Sequence, residues 1–301
     1  MGKRSDRSRA VPAAALAAVT AAVVALAGCD AVGGAESAPS GSAAHRAKPS
    51  PTPVWDTAPA SLAAVGDSIT RGFDACSLLQ DCPEVSWATG ARADVDSLAV
   101  RLMGTAKAAS HSWNYAVTGA RMADVAGQMA KAAARGPELV TVMAGANDAC
   151  RNSVSAMTSV ADFRAQFQKA LSTLRATAPK AQVYVASVPN LKRLWSQGRT
   201  NALGKQVWKL GICPSMLGDA DALDAAATER RDTVQQRVED YNSVLEEVCA
   251  KDRRCRFDGG AVYAYDFGTA QLSHIDWFHP SVDGQARLAE IAYRKVTAGG
   301  T

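Results

Sequence analysis

The stretch SLAAVGDSITRGFDAC, residues 61–76, contains the feature that decides the fold. An apolar run, Leu62–Gly66, ends in Gly-Asp-Ser, and polar residues compatible with a helix follow it. This order predicts a buried strand that passes directly into a helix, with Ser68 at the junction. Gly, Asp and Ser are also ordinary turn residues, so the tripeptide alone does not identify Ser68 as a nucleophile.

Similar apolar runs recur along the chain and alternate with segments of helical periodicity. The predicted strands cover Leu62–Gly66 and residues 113–117, 138–145 and 182–190. The predicted helices run from Ser159 to Pro179, over Ala225–Cys249 and over residues 282–296. Continuous apolar runs suit strands that helices cover on both faces. The alternation therefore predicts an α/β fold with a mostly parallel, doubly wound sheet.

The composition is that of a globular protein with a substantial core. The chain has 301 residues, of which 48% are hydrophobic and 21% are charged. This length allows one large domain or two small ones. The net charge of +4 is too small to indicate a nucleic-acid partner, and we expect none.

The N-terminus has the layout of an export signal, with basic residues before an Ala/Val-rich run over residues 11–27. The sequence LAGC at residues 26–29 resembles the bacterial lipobox, which implies cleavage before Cys29 and a lipid on that residue. We therefore expect residues 1–28 to be a lipoprotein signal peptide. Cys29 would then hold the protein on the outer face of the cytoplasmic membrane. The alternatives are a plain secretory signal and a transmembrane anchor, for which the run is barely long enough.

Residues 29–53 are mainly Ala, Gly, Ser and Pro, with few apolar residues among them. Such a composition cannot bury a core and predicts a flexible tether. The folded domain is therefore expected to cover residues 54–301.

The cysteines also indicate an exported protein. Seven occur, and six remain when Cys29 is set aside. An even number in an oxidising compartment favours disulfides, for which fifteen connectivities exist. The simplest connectivity pairs near neighbours and then joins the remaining two: Cys76–Cys82, Cys249–Cys255 and Cys150–Cys213. The spacings lack the tight pairs of zinc modules, so no metal site is expected.

Residues that follow the predicted strands are the candidates for chemistry, because ligands of such sheets bind beyond the carboxyl ends of the strands. Gly-Asp-Ser at residues 66–68 follows the first strand, and Thr-Gly-Ala at residues 118–120 follows the second. Gly-Ala-Asn-Asp at residues 145–148 follows the third, and Asp-Trp-Phe-His-Pro-Ser at residues 276–281 precedes the last helix.

These four segments together resemble the SGNH hydrolases, also called the GDSL esterase/lipase family. The blocks are GDSIT, NYAVTGA, GANDA and DWFHP, in the order of the family, with Ile69 where the family name has Leu. The resemblance extends from Leu62 to the C-terminus. It implies a three-layer α/β/α architecture of the flavodoxin-like type.

The resemblance also assigns a role to each site residue. Ser68 is the expected nucleophile, His279 its general base and acid, and Asp276 the carboxylate that orients the imidazole. The backbone N–H groups of Ser68 and Gly119 and the side-chain amide of Asn147 are the expected oxyanion donors. No metal or organic cofactor is required.

Two other features in the same region are less specific. His274 is the rival base, five residues before His279, although the motif position favours His279. The two histidines with Asp276 could suggest a metal site, but no further ligand cluster accompanies them. We expect Asp67 and Asp148 to make turn and cap hydrogen bonds.

Residues 190–219 bear on the substrate, because a long connection in a compact domain tends to be functional. Two roles remain open for this tryptophan-containing segment. It lines or covers an acyl pocket beside Asn147, tied there by Cys150–Cys213, or it is a surface excursion whose Trp residues pack on the core.

The predicted activity is that of an exported, monomeric serine ester hydrolase that cleaves acyl or lipid esters through a Ser68 acyl-enzyme. One alternative is a carbohydrate O-acetylesterase of the same fold. The other is a surface-binding lipoprotein without turnover, against which the joint presence of all five site residues argues.

Overall fold

The computed structural model describes residues 55–299 of the chain. The predicted signal peptide, the lipidation site Cys29 and the predicted tether lie outside the described residues. Within residues 55–299, no helix is long and apolar enough to cross a bilayer.

A five-stranded sheet forms the centre of the described domain, with the order β2-β1-β3-β4-β5 and every neighbouring pair parallel. The strands are β1 (Leu62–Gly66), β2 (Ser112–Asn114), β3 (Leu139–Met143), β4 (Gln182–Val185) and β5 (Cys255–Phe257). Every residue of β1, β3 and β4 is buried, as expected for strands that helices cover on both faces. The predicted α/β class with a parallel, doubly wound sheet is confirmed.

Three predicted strands are shorter than the apolar runs that indicated them. β4 ends at Val185, and although the Ala186 N–H still donates to Val142 of β3, the residues after Ala186 bond outside the sheet ladder. The Ser187 N–H and hydroxyl both donate to Asp258, and the Val188 N–H donates to the Asn242 side chain. β5 was not predicted, since it is a three-residue, half-buried edge strand.

Twelve helices are present among the described residues. They are α1 (Ser68–Arg71), α2 (Leu98–Met103), α3 (Thr105–His111), α4 (Met122–Ala133), α5 (Ala146–Ala149), α6 (Val160–Thr177), α7 (Leu191–Gly198), α8 (Ala202–Trp208), α9 (Pro214–Leu217), α10 (Ala225–Cys249), α11 (Ala261–Ala264) and α12 (Val282–Thr297). The three long predicted helices begin where side-chain caps occur. Ser159, Asp224 and Ser281 each accept a backbone N–H at the start of a helix.

The helices around the sheet form two packed groups. In one group, α4 packs on α6 and α6 packs on α10. In the other, α12 packs on α2 and α2 packs on α3. One continuous hydrophobic core joins both groups to the strands, which is the expected arrangement of three layers.

Three disulfides are present in the described domain: Cys76–Cys82, Cys150–Cys213 and Cys249–Cys255. These are the pairs of the simplest connectivity. The first closes the loop after α1, and the second joins the end of α5 to the start of α9 across 63 residues of sequence. Both of these lie in segments that follow the carboxyl ends of strands.

Candidate active site

Ser68 stands at the junction between β1 and α1, as the sequence predicted. Gly66 has a φ of +146°, and a Cβ there would lie 2.1 Å from the Met143 carbonyl oxygen on β3. Only glycine therefore allows β1 to end so close to β3. Asp67 then caps α1, because its carboxylate accepts the Ile69 N–H at 3.0 Å. Ser68 is the first residue of α1 and lines a cavity.

The structure brings Ser68, His279 and Asp276 into one hydrogen-bonded chain. The Ser68 hydroxyl lies 2.9 Å from His279 Nε2. The other ring nitrogen of His279, Nδ1, bonds to the Asp276 carboxylate. Ser68 and Asp276 are buried, and the His279 side chain is 11% exposed. This is the geometry that a nucleophile, its base and an orienting carboxylate require.

The loop that carries His279 is held by its own aspartate. One Asp276 carboxylate oxygen accepts the N–H groups of Phe278 and His279 at 3.0 and 2.9 Å. Trp277 takes a φ of +54° within this turn. The Trp208 indole of α8 donates to the Asp276 carbonyl at 2.6 Å and fixes the loop from outside. The three-residue spacing therefore lets one side chain orient both the loop and the imidazole.

The charges in this group favour an ionised Asp276 and a basic His279. Burial opposes ionisation of Asp276, but His279 and the two backbone N–H donors lower its pKa below the ordinary value. Burial also opposes the imidazolium form of His279, but Asp276, Asp74 and Asp67 together raise its pKa above the ordinary value. His279 is therefore able to accept a proton from Ser68.

Gly119 and Asn147, the other expected oxyanion donors, line the same cavity as Ser68. Gly119 has a φ of +82°, and nothing lies within 4 Å of a Cβ built there. Asn147 lies in α5 and donates one N–H of its amide to the Ala120 carbonyl at 3.0 Å. Because an amide NH₂ carries two N–H groups, one remains for a ligand. Asp148 accepts the Met122 N–H at 2.8 Å, which joins α5 to α4 as a structural contact.

The structure separates His274 from the site. Its ring stacks on Trp277 with 5.2 Å between the centroids, and the residue is exposed. It makes no contact with Ser68 among the hydrogen bonds of the described residues. Of the two histidines, His279 is the one in contact with Ser68.

The cavity in front of Ser68 has a volume of about 170 Å³ and a largely apolar wall. Its apolar lining consists of Ile69, Phe73, Leu191, Leu194, Ile212 and Phe278. Shallower depressions elsewhere, including one of about 770 Å³ along α10, contain none of the site residues. The space beside Ser68 is therefore a largely apolar pocket with a few polar groups, as ligand sites commonly are.

Residues 190–219 were expected either to line the pocket or to pack their Trp residues on the core, and different parts of the segment do each. Leu191, Leu194 and Ile212 line the cavity. Trp195 and Trp208 instead are buried in the core. The segment is not a loop, since it folds into α7, α8 and α9.

Asp74 is the residue at the site that sequence reasoning missed. Its side chain is fully buried. One carboxylate oxygen of Asp74, one of Asp276 and one ring nitrogen of His279 lie within 4.8 Å of one another. Burial, followed by the charge of Asp276, raises the pKa of Asp74 to about 6. No motif marks this position, and the one available signal is its closeness in sequence to Ser68.

The group of Asp74, Asp276 and His279 has the ligand types and spacing of a cation site. However, both ring nitrogens of His279 are engaged, one by Ser68 and the other by Asp276. The geometry is therefore better explained by hydrogen bonding than by metal coordination.

A family model matches most of the described domain. Residues 62–292 match the model of the GDSL-like Lipase/Acylhydrolase family, which covers the strands and all five predicted site residues. No curated protein matches the chain in sequence.

Several solved structures are similar to the chain at low identity. An extracellular lipase of Streptomyces rimosus is 18% identical, over 79% of this chain and 99% of that chain, with a TM-score of 0.42. A phospholipase A1 of Streptomyces albidoflavus is 20% identical, over 80% of this chain and 100% of that chain, with a TM-score of 0.43. A family two carbohydrate esterase of Clostridium thermocellum is 12% identical, over 78% of this chain and 62% of that chain, with a TM-score of 0.41. On the match over residues 62–292, the chain belongs to the GDSL-like lipase/acylhydrolase family, a family of ester hydrolases.

Proposed function

We propose that the protein hydrolyses carboxylic esters through an acyl-enzyme on Ser68. The observation that carries this proposal is the 2.9 Å contact between the Ser68 hydroxyl and His279 Nε2, with Asp276 on the opposite ring nitrogen. A serine hydroxyl is a poor nucleophile unless an adjacent base takes its proton. Here the base is in contact and is made more basic by its neighbours.

In the first half of the reaction, His279 Nε2 takes the Ser68 proton while Oγ attacks the carbonyl carbon of the ester. The carbonyl oxygen becomes an oxyanion, which the N–H groups of Ser68 and Gly119 and the Asn147 amide are proposed to bind. Each such donor contributes about 3 kcal/mol to transition-state stabilisation. The C–O bond then breaks, and the leaving alcohol takes the proton back from His279.

In the second half, water attacks the carbonyl carbon of the acyl group on Ser68. His279 Nε2 takes a proton from the water as it attacks. It then returns this proton to Ser68 Oγ as the acid leaves. Asp276 stays ionised throughout, because its lowered pKa disfavours protonation.

The size and lining of the cavity favour esters with a short apolar acyl group as substrates. A volume of about 170 Å³ with aliphatic and aromatic walls suits a chain of a few carbons better than a charged or strongly polar acid. The alcohol portion would leave towards the open side of the cavity. A lipid ester and an acetylated carbohydrate differ mainly in that portion.

The test is a panel of p-nitrophenyl esters from acetyl to palmitoyl, with a phospholipid and an acetylated sugar alongside. We expect turnover with a preference for short acyl groups. Ser68→Ala should reduce kcat by at least about a thousandfold, because no other group replaces the nucleophile. Ser155→Ala, on an exposed serine outside the cavity, is the matched control and should keep full activity.

The outcomes of the panel separate the candidate functions. Turnover confined to the acetylated sugar would favour a carbohydrate O-acetylesterase. Binding of such ligands without turnover by the wild type would favour the surface-binding lipoprotein. Equal rates for the wild type and Ser68→Ala would contradict the proposed mechanism.

We further propose that the protein is exported and anchored through a lipid on Cys29. The basic and apolar N-terminus and the LAGC sequence support this, as do the disulfides of the domain. Mass spectrometry of the mature N-terminal peptide should find an acylated Cys29. Cys29→Ser should move the protein from the membrane fraction. An unmodified N-terminus that starts elsewhere would contradict the proposal.

A further inference from the structure

Asp74 lies behind the pair formed by His279 and Asp276, on the loop that follows α1. Phe73 precedes it and packs edge-on against the His279 ring, with 5.1 Å between the centroids. One carboxylate oxygen of Asp74 lies within 4.8 Å of a carboxylate oxygen of Asp276 and of a ring nitrogen of His279. A second buried carboxyl group therefore adjoins the proposed catalytic base.

The backbone of Asp74 is fixed on both sides. Its N–H donates to the Gln80 carbonyl at 3.0 Å, within the loop that Cys76–Cys82 closes. Its carbonyl accepts the Ser273 hydroxyl at 2.6 Å, from the loop that carries Asp276. Its φ of +56° is unusual for a residue with a side chain. These contacts hold the carboxyl group in place rather than leaving it to rotate into solvent.

The two oxygens of Asp74 differ in their contacts. Oδ1 accepts the N–H of Leu79. Oδ2 is buried and has no hydrogen-bond partner among the described residues. An ionised Asp74 would be unfavourable for two reasons. Its buried oxygen has lost hydration without gaining a partner, and its charge would repel that of the neighbouring Asp276 carboxylate. A proton on Asp74, shared with the Asp276 carboxylate, removes both costs.

We propose that Asp74 is a positioning residue that carries a proton and donates a hydrogen bond to the Asp276 carboxylate while His279 acts as the base. This proposal rests on the proposed function, in which His279 and Asp276 serve Ser68. The proton of Asp74 is not consumed. It stays within the group while His279 takes and returns the proton of Ser68.

The proposal makes His279 and Asp74 titrate as a pair. Asp276, Asp74 and Asp67 are the charged groups that raise the pKa of His279, and Asp148 in turn acts on Asp67. Near neutral pH, one proton is shared between His279 and Asp74. Ionisation of Asp74 favours the imidazolium form of His279, and protonation of Asp74 favours the neutral imidazole that can act as base.

Asp74→Asn tests this directly, because asparagine keeps the acceptor for Leu79 and donates permanently to Asp276 without ever becoming charged. The pKa of His279, followed by NMR of the imidazole ring, should fall by about one unit relative to the wild type, because ionised Asp74 no longer stabilises the imidazolium form. Asp96→Asn is the matched control: Asp96 also has a positive φ, of 48°, and pairs with Arg101 away from the site. It should leave the His279 titration unchanged.

Kinetics supply a second measurement. In Asp74→Asn, the acid limb of kcat/KM should move to lower pH by the same amount, with kcat within about threefold of the wild type. Asp74→Ala lacks the donor and should lower kcat about tenfold, so that rescue by asparagine identifies the hydrogen bond as the cause.

An unchanged pKa of His279 in Asp74→Asn would overturn the proposal. Equal kcat for Asp74→Asn and Asp74→Ala would also overturn it, because the loss of the donor would then have no effect. The NMR titration does not require turnover. A protein that hydrolyses no ester would therefore refute the proposed function, while the titration would still decide the role of Asp74.

Discussion

Gly66 and Asp67 place Ser68 by different physical means. Gly66 removes a side chain that would clash with the Met143 carbonyl, and its φ of +146° favours glycine. Asp67 supplies a cap for α1 with one carboxylate oxygen, while the other is buried without a partner among the described residues. Burial raises the pKa of Asp67 to about 7. The position of Ser68 therefore depends on one steric effect, the missing side chain at Gly66, and one polar effect, the cap made by Asp67.

Gly66→Ala should disrupt the junction. A Cβ 2.1 Å from a backbone oxygen forces β1 and β3 apart, and we expect a loss of at least about 3 kcal/mol in the free energy of unfolding. Gly127→Ala is the matched control, since Gly127 is exposed within α4 and has nothing within 4 Å of its Cβ position. That change should stabilise the protein by about 1 kcal/mol. Denaturant unfolding measures both, and similar values for the two variants would contradict the steric argument.

Asp67→Asn should stabilise the protein at neutral and alkaline pH. The native Asp67 keeps a proton up to a pH of about 7, whereas the unfolded residue loses it near 3.8. The native state therefore binds more protons in this window, and stability falls as the pH rises through it. Asparagine removes this loss and keeps the cap through its side-chain carbonyl.

The measurement for Asp67→Asn is thermal unfolding across the pH range. The gain should be small near pH 4, grow until about pH 7, and then level off at on the order of 4 kcal/mol, because the two pKa values of 3.8 and about 7 differ by roughly three units. A gain that is independent of pH would show that charge on Asp67 is not its cause. A loss at pH 8 would refute the argument.

At the scale of elements, the sequence predicts what depends on local pattern. β1 and α10 have the predicted bounds, because continuous burial and helical periodicity are written into consecutive residues. β5 escapes prediction because an edge strand of three half-buried residues has no such pattern. β4 ends early for a reason that is not local, since Asp258 and Asn242 bind the residues that follow it.

The structure of residues 190–219 likewise could not be predicted from local sequence pattern. Its length and tryptophans indicate a special role, but its division into α7, α8 and α9 depends on packing against other elements. Gly198 and Gly204 lie against Trp277, where a Cβ on either would approach within 3 Å. The segment therefore packs against the loop that carries His279 and helps to hold that loop in place.

The Cys150–Cys213 disulfide should control both stability and acyl preference. Both cysteines line the cavity, and the bond ties Ile212 to the end of α5. Replacing both with Ala should lower stability by about 4 kcal/mol, because the bond closes a loop of 63 residues. It should also broaden or shift the preferred acyl length, measured as kcat/KM across the p-nitrophenyl esters.

The double replacement of Cys249 and Cys255 is the control. That disulfide joins the end of α10 to β5, spans six residues of sequence and contributes nothing to the cavity wall. Its loss should cost less stability and leave the acyl preference unchanged. If both double variants kept the wild-type preference, the segment would have no part in substrate selection.

Across the whole molecule, the site is assembled from residues far apart in sequence. Ser68, Asn147 and Gly119 follow β1, β3 and β2, and His279 comes from the loop before α12. A parallel sheet brings these segments to one edge, so that residues singled out from separate motifs line one cavity. Asp74 and the cavity walls outside residues 190–219 could not be predicted, because their roles depend on which loops meet in space.

The assignment of Ser68 as the nucleophile is tested most directly by reaction of the folded protein with a fluorophosphonate, followed by mass spectrometry of its peptides. We expect a single covalent adduct on Ser68, absent from Ser68→Ala and much slower to form in His279→Ala, since His279 must take the hydroxyl proton. A folded wild-type protein left unlabelled at Ser68, or labelled equally in Ser68→Ala, would contradict it.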